Sequence, residues 1–312
     1  MQKIQLAVKA YDGADINAAF FSGGTLPVKG LVIVSHGFGE HIGGYLELAE
    51  RLSQAGYASA IFDQRGHGGA AMPRNAECGM QNAESGDADV VHRSAARRKD
   101  MRGVIQNYRD FLDDIRAVTA AAKQQAPDVP TALYGHSMGG NIVVNFLLRN
   151  EQSGCSCAVL ESPWLGLYKE KNPLVKGFSS LIGALSPNIA IFKKLPQGDL
   201  TGDSGRADEF KNDSLYHNRI SMRMFTGICN GCKYAMANAQ KLTIPVFLAF
   251  ASKDRIISNR AIAQFAGAVE PLATVREYDA CHAIHNDVHR ETFYRDVIDY
   301  LDAHLAAEPQ AE

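Results

Sequence analysis

The stretch Thr131-Ala132-Leu133-Tyr134-Gly135-His136-Ser137-Met138-Gly139-Gly140-Asn141-Ile142-Val143-Val144 decides the reading of this chain. Thr131–Tyr134 has the length and character of a buried strand. The run from Asn141 to Arg149, apolar nearly all round from Ile142 to Leu148, has those of a buried helix. Between them lies Gly135-x-Ser137-x-Gly139. Glycines let the backbone turn sharply enough to lift a serine hydroxyl above a sheet. The helix that follows points its free N–H groups and positive dipole end at any negative charge developing there. Gly-x-Ser-x-Gly alone is a common string; the strand before it and the helix after it make Ser137 a candidate nucleophile.

A serine hydroxyl is a weak nucleophile at neutral pH and needs a base that is itself held by an acid. After a strand–turn–helix of this kind the expected chain order is Ser, then Asp or Glu, then His. Asp254 follows the apolar run Val246–Phe250, and histidines follow the last strand in Tyr278-Asp279-Ala280-Cys281-His282-Ala283-Ile284-His285. His282, nearer the strand end, is the favoured base; His285, one helical turn further on, is the alternative and suits loop support. Glu161, at the end of the preceding strand, is the alternative acid. The pair His282-x-x-His285 does not complete a zinc motif, because Ala283 stands where H-E-x-x-H needs glutamate. An oxyanion needs two N–H donors, and Met138 supplies the first. The second is assigned to Phe38, in His36-Gly37-Phe38-Gly39-Glu40-His41 after the strand Leu31–Ser35. Asp63 and Arg65, in Phe62-Asp63-Gln64-Arg65-Gly66-His67-Gly68, are read as tying down a turn.

Outward from this centre, short apolar runs alternate with amphipathic ones. Candidate strands are Lys3–Val8, Asn17–Phe21, Leu31–Ser35, Ala58–Asp63, Thr131–Tyr134, Ala158–Glu161, Val246–Ala251 and Thr274–Tyr278. Core-facing helix stripes run through Tyr45, Leu48, Ala49 and Leu52, and through Val104, Tyr108, Phe111, Leu112, Ile115 and Val118. The pattern predicts an α/β fold, a mostly parallel eight-stranded sheet flanked by helices. Two stretches break the alternation. Residues 69–101 are polar and read as an extra insertion. Residues 163–241 are too long for a crossover and read as an inserted helical cap over the sheet's carboxyl edge, leaving 1–162 and 242–312 as the core. Most of the cap's apolar residues are expected to pack against the core; Trp164, Phe178 and Leu181 are candidates for lining a substrate pocket.

Composition narrows the function classes. A hydrophobic share of 46%, a charged share of 21% and a formal charge of −2 describe an ordinary globular chain with no overall pull toward nucleic acid. Met1–Lys9 lacks the apolar core of a secretory signal, and no run approaches the ~18–20 apolar residues of a membrane span. A cytoplasmic protein with reduced cysteines is therefore expected. Cys155-x-Cys157 and Cys229-x-x-Cys232 are weak zinc or redox signals on spacing alone, the more so because the residues around Cys229 look helical. The basic cluster Arg93–Arg102 is read as a solvated face rather than a phosphate site. No metal or organic cofactor is expected.

In combination, His36-Gly37-Phe38-Gly39-Glu40-His41, Tyr45, Asp63-Gln64-Arg65-Gly66-His67-Gly68, Gly135-His136-Ser137-Met138-Gly139-Gly140, Asn212-Asp213-Ser214-Leu215-Tyr216-His217 and His282-x-x-His285 resemble the monoglyceride lipase and lysophospholipase branch of the α/β hydrolases. The resemblance covers roughly Gly30 to Tyr300. It implies the α/β-hydrolase fold and a carboxylic-ester substrate with an acyl chain, such as a monoacylglycerol or lysophospholipid; separately, the apolar Trp164–Phe192 region of the cap is a candidate for transient membrane-surface contact. There are three departures: Ser214 stands where the family usually has proline, Gly69 where it often has serine, and residues 69–101 are longer than usual. The alternatives are an aminopeptidase or amidase of the same fold, with Asp203, Asp208 and Glu209 binding an amine, and a catalytically silent binding protein.

Overall fold

The computed structural model describes residues 1–24, 27–71, 100–151, 154–169, 190–192 and 196–305. In chain order its strands are β1 (Gln2–Lys9), β2 (Asp15–Ser22), β3 (Leu31–Ser35), β4 (Ala58–Phe62), β5 (Thr131–His136), β6 (Cys155–Glu161), β7 (Ala190–Phe192), β8 (Arg219–Ser221), β9 (Val246–Ala251) and β10 (Ala273–Tyr278). All eight runs expected to be strands join one sheet in the order β1-β2-β4-β3-β5-β6-β9-β10. β2 is antiparallel to β1 and β4, and every later pairing in this sheet is parallel. β7 and β8, which the sequence pattern did not announce, form a separate antiparallel pair.

The described helices are α1 (Leu46–Gln54), α2 (Arg109–Gln125), α3 (Met138–Phe146), α4 (Gln197–Leu200), α5 (Ser204–Asn212), α6 (Met222–Asn238), α7 (Asn259–Ala268) and α8 (Arg290–His304). Central strands are buried on both faces, so their apolar residues run on without alternating with polar ones. Successive residues instead serve opposite layers. Leu31 and Ile33 pack with α2, α3, α6 and α7 through Phe111, Ile142, Ile228 and Phe265. Val32 and Val34 pack with α1 and α8 through Leu48, Leu52, Phe293 and Leu301.

Two helix expectations need correction. α3 starts at Met138 rather than Asn141 and passes into a π-turn at Leu147–Glu151. Met138-Gly139-Gly140 has poor helix propensity, but close packing under β3 overrides it. α2 begins at Arg109, so Val104 and Tyr108 precede it. Tyr108 instead sends its hydroxyl to Asn141 Oδ1 at 2.7 Å.

Within the expected extra insertion, residues 72–99 lie outside the described residues. Its flanks are held together by a 3.0 Å hydrogen bond from Met101 N to Ala71 O. Because β3, β4, β5, β6, β9 and β10 run parallel, the segments after them emerge at one edge. Those segments carry His36–Glu40, Asp63, Ser137, Glu161, Asp254 and His282. Crevices at the carboxyl ends of such strands are where open α/β sheets bind ligands.

Candidate active site

Ser137 sits at the turn between β5 and α3 with φ 52° and ψ −112°, a conformation unfavourable for a residue with a Cβ. The strain is therefore in the serine itself. The flanking glycines are required for a different reason, close approach. A Cβ on Gly139 would lie 1.9 Å from Ser35 O, and one on Gly135 would lie 2.7 Å from Gly139 O. Gly139→Ala is expected to cost about 3 kcal/mol in urea unfolding, because α3 cannot leave β3 without breaking the turn. A change under about 0.5 kcal/mol would show that the helix retreats freely.

The turn is held by backbone bonds from several directions. Ser137 N donates to Glu161 O at 3.0 Å, and Ser137 O accepts from Trp164 N at 2.8 Å and Asn141 N at 3.1 Å. Asn141, buried in α3, donates its amide to Trp164 O at 2.9 Å and so helps fix the same loop.

Ser137, His282 and Asp254, far apart in the chain, meet here. His282 Nε2 lies 2.9 Å from Ser137 Oγ, and His282 Nδ1 lies 2.6 Å from Asp254 Oδ2. The other Asp254 oxygen accepts from Ile256 N at 2.7 Å and Ile257 N at 2.9 Å. All three side chains are buried. Burial would raise the Asp254 carboxyl, but His282 and the two N–H donors hold it below its ordinary value. Burial would likewise lower the His282 imidazole, and Asp254 outweighs it, with Glu161 and Glu40 adding, so His282 is raised. The His282 loop is clasped by the segment through α4. His282 N donates to Asp199 O at 3.2 Å, Ala283 N to Leu200 O at 2.8 Å, and Gly202 N to Asp287 Oδ2 at 2.7 Å.

The competing residues separate cleanly. His285 Nδ1 lies 2.9 Å from both oxygens of Glu161, so the alternative base and the alternative acid form a second pair of their own. Burial would lower His285, and Glu161 outweighs it, so His285 is raised. With His136, these groups lie close enough together to coordinate a cation. Glu161 is already occupied by His285 and the Tyr134 hydroxyl, which marks an ion pair rather than a metal centre. Burial holds His136 itself down at about 4, against the pull of Glu161 and Glu40.

Met138 is the first residue of α3, where a helix leaves its N–H without an internal acceptor. Phe38 joins Ser137, His282, Trp164, Leu200 and Ile256 around a small cavity. Its ring is held edge-on between His67 and His217, with centroids 6.0 and 5.9 Å away. Trp164 is buried at the cavity wall; Phe178 and Leu181 lie outside the described residues. Asp63 accepts from Ile42 N at 2.9 Å and Asn17 Nδ2 at 2.8 Å, and Arg65 pairs with Asp12 and Asp114, so both hold turns.

The segment Asp213–His217 closes over the Phe38 loop: His41 Nε2 meets Asp213 Oδ2 at 2.9 Å, and His217 N donates to Gly39 O at 3.0 Å. Asp203 caps α5 and pairs with Arg290, Glu209 pairs with Arg206, and Asp208 is exposed, so these acids are not brought together at the cavity. Cys155 and Cys157 lie on β6, and Cys229 and Cys232 on α6. The Cys232 thiol donates to Trp164 O at 3.1 Å, and burial pushes it up to about 12. Asn141, Glu40 and Asp287 were not anticipated. Of these, Asn141 carried a signal, as a polar residue in a mostly apolar helix.

Residues 27–289 match the Hydrolase_4 family, described as serine aminopeptidase, S33. An uncharacterized abhydrolase domain-containing protein of Dictyostelium discoideum is 25% identical over 86% of this chain, which spans only 26% of that protein's length. A monoacylglycerol lipase of Mycolicibacterium smegmatis is 24% identical over 89% of both chains. Among solved structures, a soluble variant of monoglyceride lipase from Saccharomyces cerevisiae, in complex with a substrate analog, superposes with a TM-score of 0.78 at 20% identity, covering 98% of this chain and 97% of that one. The fold, and a family match over most of its length, make this chain a member of the Hydrolase_4 (serine aminopeptidase, S33) family of α/β hydrolases.

Proposed function

We propose that this chain is a serine ester hydrolase whose substrates are acyl esters, foremost a monoacylglycerol or lysophospholipid. The observation that carries the reading is the continuous hydrogen-bonded line Asp254–His282–Ser137, at 2.6 and 2.9 Å. In this mechanism His282 Nε2 takes the Ser137 proton as Oγ attacks the ester carbonyl, and Asp254 holds the imidazole with Nδ1 protonated. The Phe38 and Met138 N–H groups receive the oxyanion, each donor worth ~3–4 kcal/mol. His282 then gives its proton to the leaving alcohol. Water, deprotonated by the same nitrogen, releases the acid from Ser137 and regenerates the hydroxyl.

The acyl-glycerol assignment rests on the relatives named monoacylglycerol lipase and on the apolar side of the cavity, Phe38, Trp164, Leu200 and Ile256. In this reading the cap is the part of 163–241 that precedes α6, because α6 itself joins the core through Met224 and Ile228, and Trp164 is the cap's floor beside Ser137. The amide reading loses its amine site, because Asp203 and Glu209 are engaged by Arg290 and Arg206.

A series of p-nitrophenyl esters tests the proposal. Activity is expected to rise from acetate toward long acyl chains and to extend to monoacylglycerol or lysophospholipid. Hydrolysis confined to acetate would overturn the lipid assignment and leave a short-chain esterase.

A further inference from the structure

Beneath the Ser137 turn lies a buried cluster of charge that the triad does not use. Its first part is the buried Glu161–His285 pair, 2.9 Å apart, with Glu161 held down at about 2 and His285 raised. Its second part is Glu40, on the loop after β3, only 7% exposed and at the wall of the same cavity as Ser137 and His282. Glu40 accepts from Gly37 N at 2.7 Å and from the Tyr45 hydroxyl. Tyr45 in turn stacks on the His285 ring, with centroids 4.7 Å apart and planes 20° apart.

The His136 ring stands between the two carboxylates. Its Nε2 is 3.8 Å from Glu40 Oε1, its Nδ1 is 3.5 Å from Glu161 Oε2, and its centroid is 4.9 Å from that of His282. His136 is the group that would have to neutralise Glu40, but it is held down at about 4 by burial and stays uncharged at neutral pH. Burial would raise the Glu40 carboxyl, but the charge that His136 carries only below about pH 4, together with His285 and the hydrogen bond from Tyr45, outweighs it, so Glu40 is held below its ordinary value and is ionised at neutral pH. The cluster thus has one carboxylate more than it has cations, separated from His282 by a single neutral ring.

We propose that Glu40 is a positioning residue of this reaction: it shapes the Gly37–Phe38 loop through the Gly37 N–H, and its surplus negative charge stabilises the imidazolium formed on His282. This rests on the Ser137–His282–Asp254 reading above. The charged or titratable groups facing His282 are Asp254 after β9, His136 at the end of β5, Glu161 at the end of β6, Glu40 after β3 and His285 on its own loop. Of these, Glu40 is the carboxylate outside the triad whose hydrogen bonds come from neutral groups, Gly37 N and the Tyr45 hydroxyl. In the transition state His282 becomes positive, so a fixed negative charge held in a low-dielectric site acts then without reorganisation.

The variant Glu40→Gln keeps an oxygen for Gly37 N and Tyr45 while removing the charge; Glu40→Asp keeps the charge. Fluorophosphonate labelling of the wild type and of Ser137→Ala first establishes the nucleophile, so failure of the triad reading shows as labelling that survives in Ser137→Ala. kcat/KM on a soluble, non-ionising ester is then followed between about pH 5 and 9, where its acid limb reports the free enzyme's His282. His282 must be neutral to act as base, so removing a negative charge near it lowers its pKa and moves the limb to lower pH. The expected shift in Glu40→Gln is roughly half to one pH unit, with kcat several-fold lower and the limb restored in Glu40→Asp.

A limb that stays in place in Glu40→Gln, whatever the activity, overturns the proposal, as does an upward shift. Should Glu40→Gln not fold, Glu40→Ala removes the same charge without the amide; the limb is again expected to move to lower pH, and an unmoved or raised limb overturns the proposal.

Discussion

Ser137→Ala is expected to leave a folded protein whose ester hydrolysis falls by roughly 10⁶-fold. The hydroxyl meets His282 Nε2, 2.9 Å away, so the deletion removes the proposed nucleophile and little else. Alanine inherits the φ of 52° and the backbone bonds to Glu161, Asn141 and Trp164. Thermal stability should therefore change by less than about 1 kcal/mol, and a large loss of stability would make the activity loss uninterpretable. What remains is the oxyanion site and binding, which by themselves still accelerate hydrolysis over water by ~10³–10⁴. The measurement is kcat on the best ester of the chain-length series, paired with fluorophosphonate labelling. A variant retaining more than about 1% of wild-type kcat would move the nucleophile elsewhere. A wild-type protein that neither labels nor hydrolyses would be a binding protein on a hydrolase fold.

The second large effect belongs to Asp254→Asn, expected to cost about 10⁴-fold in kcat. The physical reason is specific to how Asp254 is held. One of its oxygens is taken by the Ile256 and Ile257 N–H groups, and the other faces His282 Nδ1. An asparagine has one oxygen only, and those two N–H donors claim it. Its NH₂ group then faces His282 Nδ1, which must become an acceptor. The ring proton shifts to Nε2, and the nitrogen beside Ser137 can no longer take a proton. The matching variant Glu161→Gln disturbs the His285 pair and should leave this tautomer alone. A loss in Asp254→Asn smaller than that in Glu161→Gln would transfer the acid role to Glu161.

Much of this was legible along the chain. The eight strands could be found because each is a short apolar run bounded by turn residues, and strands buried on both faces carry that mark wherever they occur. Ser137 was legible for the same local reason: a strand, a glycine-flanked turn and a helix are contiguous. The order Ser137, Asp254, His282 and the preference for His282 over His285 rest on where each falls after a strand, and the structure brings those three side chains into one hydrogen-bonded line. The start of α3 differs because Gly139 and Gly140 disfavour helix in isolation, and close neighbours in space explain their presence, the Ser35 carbonyl for Gly139 and Pro163 for Gly140. Val104 and Tyr108 matched a helical period but precede α2, since periodicity alone does not mark the first turn.

Sequence by itself thus determined the fold class, the single parallel edge where the strands end, and the serine placed at its sharpest turn. These follow from local polarity, glycine placement and chain order, which a one-dimensional string contains. The tertiary structure alone decided which carboxylate serves which histidine. Asp254 and Glu161 each end a strand, His282 and His285 share a loop, and the pairing depends on distances set across the sheet. It also decided that Glu40, an ordinary acidic residue in the string, is buried beside a histidine that burial keeps neutral. Charge balance in a low-dielectric interior is a property of neighbours in space, and spacing along the chain does not encode it.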